Sequence, residues 1–366
     1  MQSHISTRST LRRLSALAGA GVIVTAVSAL DLARRGHAPL EKYAPDWTAF
    51  GWLKMAASLA AALLVFVALR GLGAGEAVKE SPGEARLAKL GAAVTLSILA
   101  LTTLAVILSP TSLEPLIREN SLISVLTDVP LAAAAALLLS AAWRSRGSGW
   151  RVLGLPQALI LAGMALVTFL VLMEEMSWGQ HLFHWTTGHA FDANLQHETN
   201  LHNFSTYKFE AAYYVAAFLA FVALPLLWPR GGRWSGLEAF VPSRTFALAG
   251  LPLASLFYQE WNVVPYQVTA FLGLILGAGL VLGLTRDGLL PKAAGPAILA
   301  LLVVSQVVFL SQGHRLTLGY ELSEVRELII ACLIAMFAVV MLRRAGASAT
   351  SEARLRASAF RPEGMS

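Results

Sequence analysis

Long apolar runs separated by short polar connections dominate the chain, and ten of them predict membrane-spanning helices. They are Leu14–Leu30, Phe50–Leu69, Leu90–Leu108, Leu122–Trp143, Val152–Met173, Ala211–Trp228, Phe246–Tyr258, Val268–Leu284, Ala294–Leu310 and Leu328–Leu342. Crossing hydrocarbon as a helix takes about 20 mostly apolar residues, because backbone groups there have no water to bond. The seventh run is the shortest and begins near Pro242, so a broken, tilted or partly re-entrant segment is expected there. The first run follows Arg12 and Arg13, as a secretory or twin-arginine signal does. Its apolar stretch is long for a signal core and Ser28–Asp31 is a poor cleavage site, so it reads as an uncleaved anchor. No fixed-period repeat or heptad array interrupts the pattern, and the segment after Arg344 has a composition that favours disorder. The expected fold is therefore all-α: one polytopic transmembrane bundle of about ten helices over residues 1–344, with a tail over 345–366.

Composition agrees with this pattern. Of 366 residues, 56% are hydrophobic and 14% charged, well under the quarter charged that is usual for soluble chains. No polar stretch is long enough to form a soluble domain. The net charge of +6 does not point to nucleic acid, because the basic residues sit at the ends of apolar runs rather than among exposed aromatics. They instead set orientation. With the N-terminus placed in the cytoplasm, 20 of the 28 lysines and arginines fall in cytoplasmic segments, as the positive-inside rule requires. Both termini are then expected in the cytoplasm. The single cysteine, Cys332, lies in an apolar run and can form neither an internal disulfide nor a cysteine metal site.

Orientation sorts the remaining polar residues. Glu114, Glu119, residues 174–210, Glu260, Asn262 and residues 314–324 all fall on the expected outer side, and six of the eight histidines lie in two of these segments. The central one runs from Met173-Glu-Glu-Met-Ser-Trp-Gly-Gln-His-Leu-Phe-His to Trp185, and then from Asn194 to Asn203. If the fifth helix continues past Met173, then Glu174, Ser177, His181 and His184 share one face, with Glu175, Trp178, Leu182 and Trp185 beside it. A short helix starting near Asn194 would put Glu198 and His202 at i, i+4, a spacing that suits two ligands of one ion. Carboxylates at the edge of hydrocarbon are costly unless paired, ligated or wetted, so Glu174 and Glu175 are functional candidates. In the last outer segment, Glu321 and Glu324 open the final helix, where acidic residues also suit the helix dipole. For Glu327 that dipole explanation is preferred, and Asp128 and Lys54 read as snorkelling or locally paired.

The strings Glu174-Glu-Met-Ser-Trp-Gly-Gln180 and Asn194-x-Gln-x-Glu-x-Asn-Leu-His-Asn203 resemble a pattern in a group of bacterial multi-pass membrane proteins. That resemblance covers about thirty residues and implies a bacterial inner-membrane location but no activity. A fainter resemblance is to alkaline ceramidase-like membrane hydrolases, which carry a late pair of zinc-binding histidines where this chain has only His314. No residue role is carried over from it.

The leading functional expectation is a metal-assisted enzyme at the outer face, a hydrolase or transferase acting on a lipid or lipid-linked substrate. Glu174, Glu175 and Glu324 are its candidate catalytic groups. His181, His184, Glu198, His202 and His314 are its candidate ligands for a divalent metal, zinc foremost, which would lower the pKa of a bound water. Trp178, Gln180, Asn200, Asn203, Glu260 and Arg315 are its candidate substrate contacts. The alternatives are a proton- or cation-coupled transporter and a non-catalytic envelope-assembly protein.

Overall fold

A computed structural model describes residues 7–70, 80–118, 121–194, 198–228, 232–257, 262–316 and 322–359. Among these residues, nine helices are long and apolar enough to cross a membrane. The chain order is α1 (Thr7–Arg35), α2 (Ala49–Leu69), α3 (Pro82–Leu108), α4 (Pro110–Ile117), α5 (Leu122–Arg144), a two-stranded hairpin of β1 (Arg151–Val152) and β2 (Leu155–Pro156), α6 (Gln157–Glu175) and α7 (Gln180–Phe183). It continues with α8 (Thr206–Phe218), α9 (Leu224–Leu227), α10 (Ala247–Gly250), α11 (Pro252–Ser255), α12 (Val264–Arg286), α13 (Ala294–Gln312) and α14 (Ser323–Ala359). Helix α14 lies along α5, and α5 along α6, forming a three-helix wall.

Local chemistry explains the breaks. Ser81 and Glu84 form a reciprocal capping box with Pro82 in the first turn, which starts α3. Helix α8 passes into α9 through a π-turn at Leu219–Ala223. Pro225, in the following turn, has no N–H to give to the carbonyl four residues back, and the ladder shifts register.

The seventh predicted run, Phe246–Tyr258, is the one that does not form a continuous helix. Pro252 removes a backbone donor in its middle, and the described part divides into α10 and α11. Residues from Thr245 to Phe257 are all buried, so the broken backbone is surrounded by protein, where irregular segments are tolerated at membrane depth. The segment runs antiparallel to α12, with Ala254 beside Gly273, Leu251 beside Gly277 and Arg244 beside Gly283. Small polar side chains bind it to its neighbours. Thr95 Oγ1 donates to the Ala249 carbonyl at 2.8 Å and Ser255 Oγ to the Leu302 carbonyl at 2.9 Å, the kind of polar contact that joins helices without a hydrophobic drive.

Gly273→Ala tests this close approach. The added methyl would lie 2.5 Å from Ala254 Cβ and 3.0 Å from the Phe218 ring, and such overpacking costs about 1–3 kcal/mol. Better helix propensity returns less than about 1 kcal/mol. The expected outcome is a lower melting temperature, with Gly279→Ala, which meets nothing within 4 Å, unchanged or raised.

The two ends of the bundle differ in charge. At one end, Arg344 Nε bonds Glu84 at 2.9 Å while its Nη1 caps the carbonyls of Ala239 and Val241. The other end collects the N-termini of α5, α8, α12 and α14 with the C-termini of α1 and α6. There Lys54, 1% exposed, donates to Asp31 Oδ2 at 2.9 Å, to Tyr43 Oη at 2.7 Å and to the Asn262 carbonyl at 3.3 Å. Lys54 therefore does not snorkel. It closes a buried clasp between α1, α2, the 36–48 connection and residue 262. Burial, followed by the hydrogen bond to Asp31, pushes the Tyr43 hydroxyl well above the ordinary phenol range.

Candidate functional site

The acidic end of the bundle contains a cavity of about 690 Å³. Its back wall is α5 and α14, with α6 and α8 at its sides and residues 176–182 and 198–203 over it. Seven carboxylates line it: Asp128, Glu174, Glu175, Glu198, Glu210, Glu324 and Glu327. No lysine or arginine is among the lining residues. Three aromatic side chains, Trp178, Phe209 and Tyr213, also face it.

The roof is built by ending α6 abruptly. After Glu175 the backbone turns into the left-handed region at Ser177 (φ 44°), Trp178 (φ 55°) and Gly179 (φ 85°). Non-glycine residues pay about 1–3 kcal/mol for such geometry, so the surroundings must hold it. Glu174 is the main anchor. It accepts the Leu201 and His202 backbone N–H groups at 2.7 and 3.0 Å and the Trp178 indole N–H at 2.8 Å, and it lies 3.4 Å from His202 Nδ1. Glu198 is the second anchor, accepting Ser177 Oγ–H at 2.5 Å and Asn200 Nδ2–H at 2.9 Å. Gln180 ties the two halves together by accepting the Thr199 N–H at 2.7 Å and donating to Thr187 Oγ1.

The break in α6 corrects two expectations. Glu174, Ser177, His181 and His184 do not share a helical face, because α6 ends before Ser177. His184 is exposed and in a left-handed conformation, while the His181 side chain lies outside the described residues. No helix joins Glu198 to His202 either, since 198–201 is irregular and His202 opens a 3-10 turn.

Of the residues singled out from sequence, Glu174, Glu175, Trp178, Glu198, Asn200, His202, Asn203 and Glu324 line the cavity. Gln180 supports the roof instead of lining the cavity. Arg315 is held by the Ile107 carbonyl and Gln312 away from the cavity, and His314 is exposed beside it. Glu260, His197 and Glu321 lie outside the described residues. Among the described residues, no three His, Cys, Asp or Glu side chains are grouped so as to hold a metal ion. Glu198 and His202 both line the cavity, but Glu198 is engaged by Ser177 and Asn200 and His202 by Glu174.

Sequence reasoning passed over Asp128, Glu210, Glu327 and Tyr213. Glu327, assigned to the helix dipole, accepts the Tyr214 hydroxyl at 2.5 Å. Glu210 pairs with Lys42 of the 36–48 connection. Glu324 accepts Ser124 Oγ–H at 2.9 Å. The two remaining carboxylates are different. Asp128 on α5 and Glu175 on α6 line the cavity and make no hydrogen bond or ion pair with any described residue, and the two lie within electrostatic range of each other. The Tyr213 hydroxyl on α8 is also buried without a hydrogen-bond partner among the described residues.

The cavity also reaches the flank of the bundle. Its lining includes the exposed Val125, Val167, Leu170 and Phe209, which lie on helices long and apolar enough to cross a membrane, and the exposed Leu182 of the roof. Val167 lies seven residues before Glu174, about 10 Å deeper at 1.5 Å per helical residue. Helix α6 packs on α5 and α8 on α12, and among the described residues no extended packing joins α6 to α8. Comparison with known proteins found no matching family model, no similar curated protein and no similar solved structure.

Proposed function

We propose that this protein is a membrane enzyme acting on an amphiphile that enters the acidic cavity from the bilayer, between α6 and α8. One observation carries this reading: Asp128 and Glu175, on neighbouring helices, face a cavity with an apolar flank and have no partner among the described residues. A carboxylate at membrane depth is costly unless something engages it. Two unengaged carboxylates facing the same space suit proton transfer, one giving and the other taking a proton at the substrate head. The other five acidic groups have protein partners, and Glu174 and Glu198 chiefly hold the roof. The chemistry assigned to the cavity is thus carboxylate chemistry, and His184 and His314 take no part in it. The basic-residue pattern supports placing the cavity on the non-cytoplasmic side, and the resemblance of the 174–203 strings to bacterial membrane proteins supports a bacterial inner membrane.

Reconstitution tests the proposal. Purified protein in vesicles made from bacterial total lipid extract should deplete one lipid class and generate a product resolved by mass spectrometry. Unchanged lipids, together with saturable exchange of a water-soluble solute across the vesicle wall, would replace the enzyme reading with a transporter.

A further inference from the structure

The lining also specifies a head group. Every ionisable side chain lining the cavity is a carboxylate, apart from His202 and the Tyr213 phenol. Among the described residues, Lys42 and Arg326 are each engaged by protein groups. Lys42 is paired with Glu210 at the rim. Arg326, fully buried behind the wall, stacks 3.6 Å over the Tyr214 ring and donates to the Leu256 carbonyl at 3.0 Å. A phosphate or carboxylate head would therefore meet like charge on all sides with no guanidinium or ammonium to receive it, whereas phosphate sites are built from arginine, lysine and backbone N–H groups.

What the cavity does offer is acceptor oxygen and aromatic surface. Asp128 and Glu175 have free acceptor capacity. Trp178, Phe209 and Tyr213 line the same space, and rings with carboxylates are the surroundings in which an ammonium group is held by charge and by cation–π attraction. The Tyr213 hydroxyl, on a residue of α8 that lines the same cavity, is buried without a hydrogen-bond partner among the described residues, an independent sign that a bound group completes the site, because buried polar atoms are normally satisfied. The apolar lining from Val167 to Phe209 then accommodates a chain attached to that head.

We infer that the cavity binds an amphiphile whose head group carries an ammonium, seated between Asp128, Glu175 and Tyr213 with its alkyl chain along α6 and α8. This rests on the proposed function for the apolar entry, and on the lining alone for the charge of the head.

Four probes separate these two parts. Native mass spectrometry of the full chain in a neutral maltoside would titrate dodecylammonium, monododecyl phosphate, dodecanol and methylammonium. The expected result is saturable binding of dodecylammonium at least tenfold tighter than either of the other dodecyl probes, with methylammonium weaker still. Asp128→Asn with Glu175→Gln should weaken dodecylammonium about tenfold or more, since charge-assisted bonds become neutral ones. Tyr213→Phe, which removes one oxygen and leaves the packing, should weaken it severalfold and serves if the double variant fails to fold. Monododecyl phosphate or dodecanol binding as tightly as dodecylammonium would overturn the head-group assignment and leave the amphiphile reading standing. Methylammonium binding equally well would keep the ammonium site and overturn the lateral amphiphile entry. Failure of all four probes to bind would overturn both.

Discussion

Lys54→Ala should lower the melting temperature of the purified protein more than any other single side-chain truncation at the acidic end. Lys54 is 1% exposed, and its ammonium satisfies Asp31, Tyr43 and the Asn262 carbonyl together. Removing one member of a buried ion pair costs about 3–5 kcal/mol, mostly because the other charge stays buried without a partner. Here the stranded group is Asp31, left with only the Tyr43 hydroxyl at 2.6 Å. Replacing both charges by groups of similar volume avoids that cost. Lys54→Met should therefore be strongly destabilising alone and markedly less so combined with Asp31→Asn. The two substitutions are in contact, so their effects should not add. Differential scanning fluorimetry in one detergent reads Lys54→Ala, Lys54→Met, Asp31→Asn and the double variant. An unshifted Lys54→Met, or a double variant worse than the sum of the singles, would remove the clasp as a stabilising element.

The clasp illustrates what the sequence revealed and what it hid. Apolar runs need no knowledge of neighbours, so the long helices were legible, and so was the weakness of the seventh run. Its break comes at Pro252, where the ladder loses a donor, and not from Pro242 at its start. Residues 174–203 stood out because charges next to a hydrocarbon-length run have few bland explanations. The end of α6 was not legible, because Ser177 and Trp178 adopt positive φ with no glycine or proline at either position to announce it. That one turn removed the expected histidine face. Asp128, Glu210 and Glu327 were missed for another reason. Each has an ordinary local explanation when taken alone, and only the packing of α14 on α5 on α6, with α8 opposite, brings them to one cavity. Asp128, a carboxylate well inside the run Leu122–Trp143, was the one detectable signal.

Asp128→Asn and Glu175→Gln should each reduce lipid turnover by about 100- to 10,000-fold, the range that a positioned general acid or base contributes. The amide isosteres keep shape and hydrogen-bonding capacity while removing the exchangeable proton. They also leave packing undisturbed, because neither carboxylate bonds a described residue. Melting temperature should then stay level or rise, as an amide is less costly than a carboxylate to bury without a partner. The two groups act on one substrate, so the double variant should be scarcely slower than the worse single one. Glu198→Gln supplies the contrast. It disturbs the acceptor of Ser177 and Asn200 at the strained turn, so its expected effect is a looser roof, seen as a raised KM and lower stability with smaller loss of kcat. The two classes of variant thus separate chemistry from architecture in the same cavity. Single Asp128 and Glu175 variants that keep turnover within a few-fold of the parent would take proton transfer away from this pair. Loss of turnover matched by loss of fold would instead make them structural. Only a deep loss of kcat in a well-folded protein, shared non-additively by both, fits two carboxylates working on one substrate.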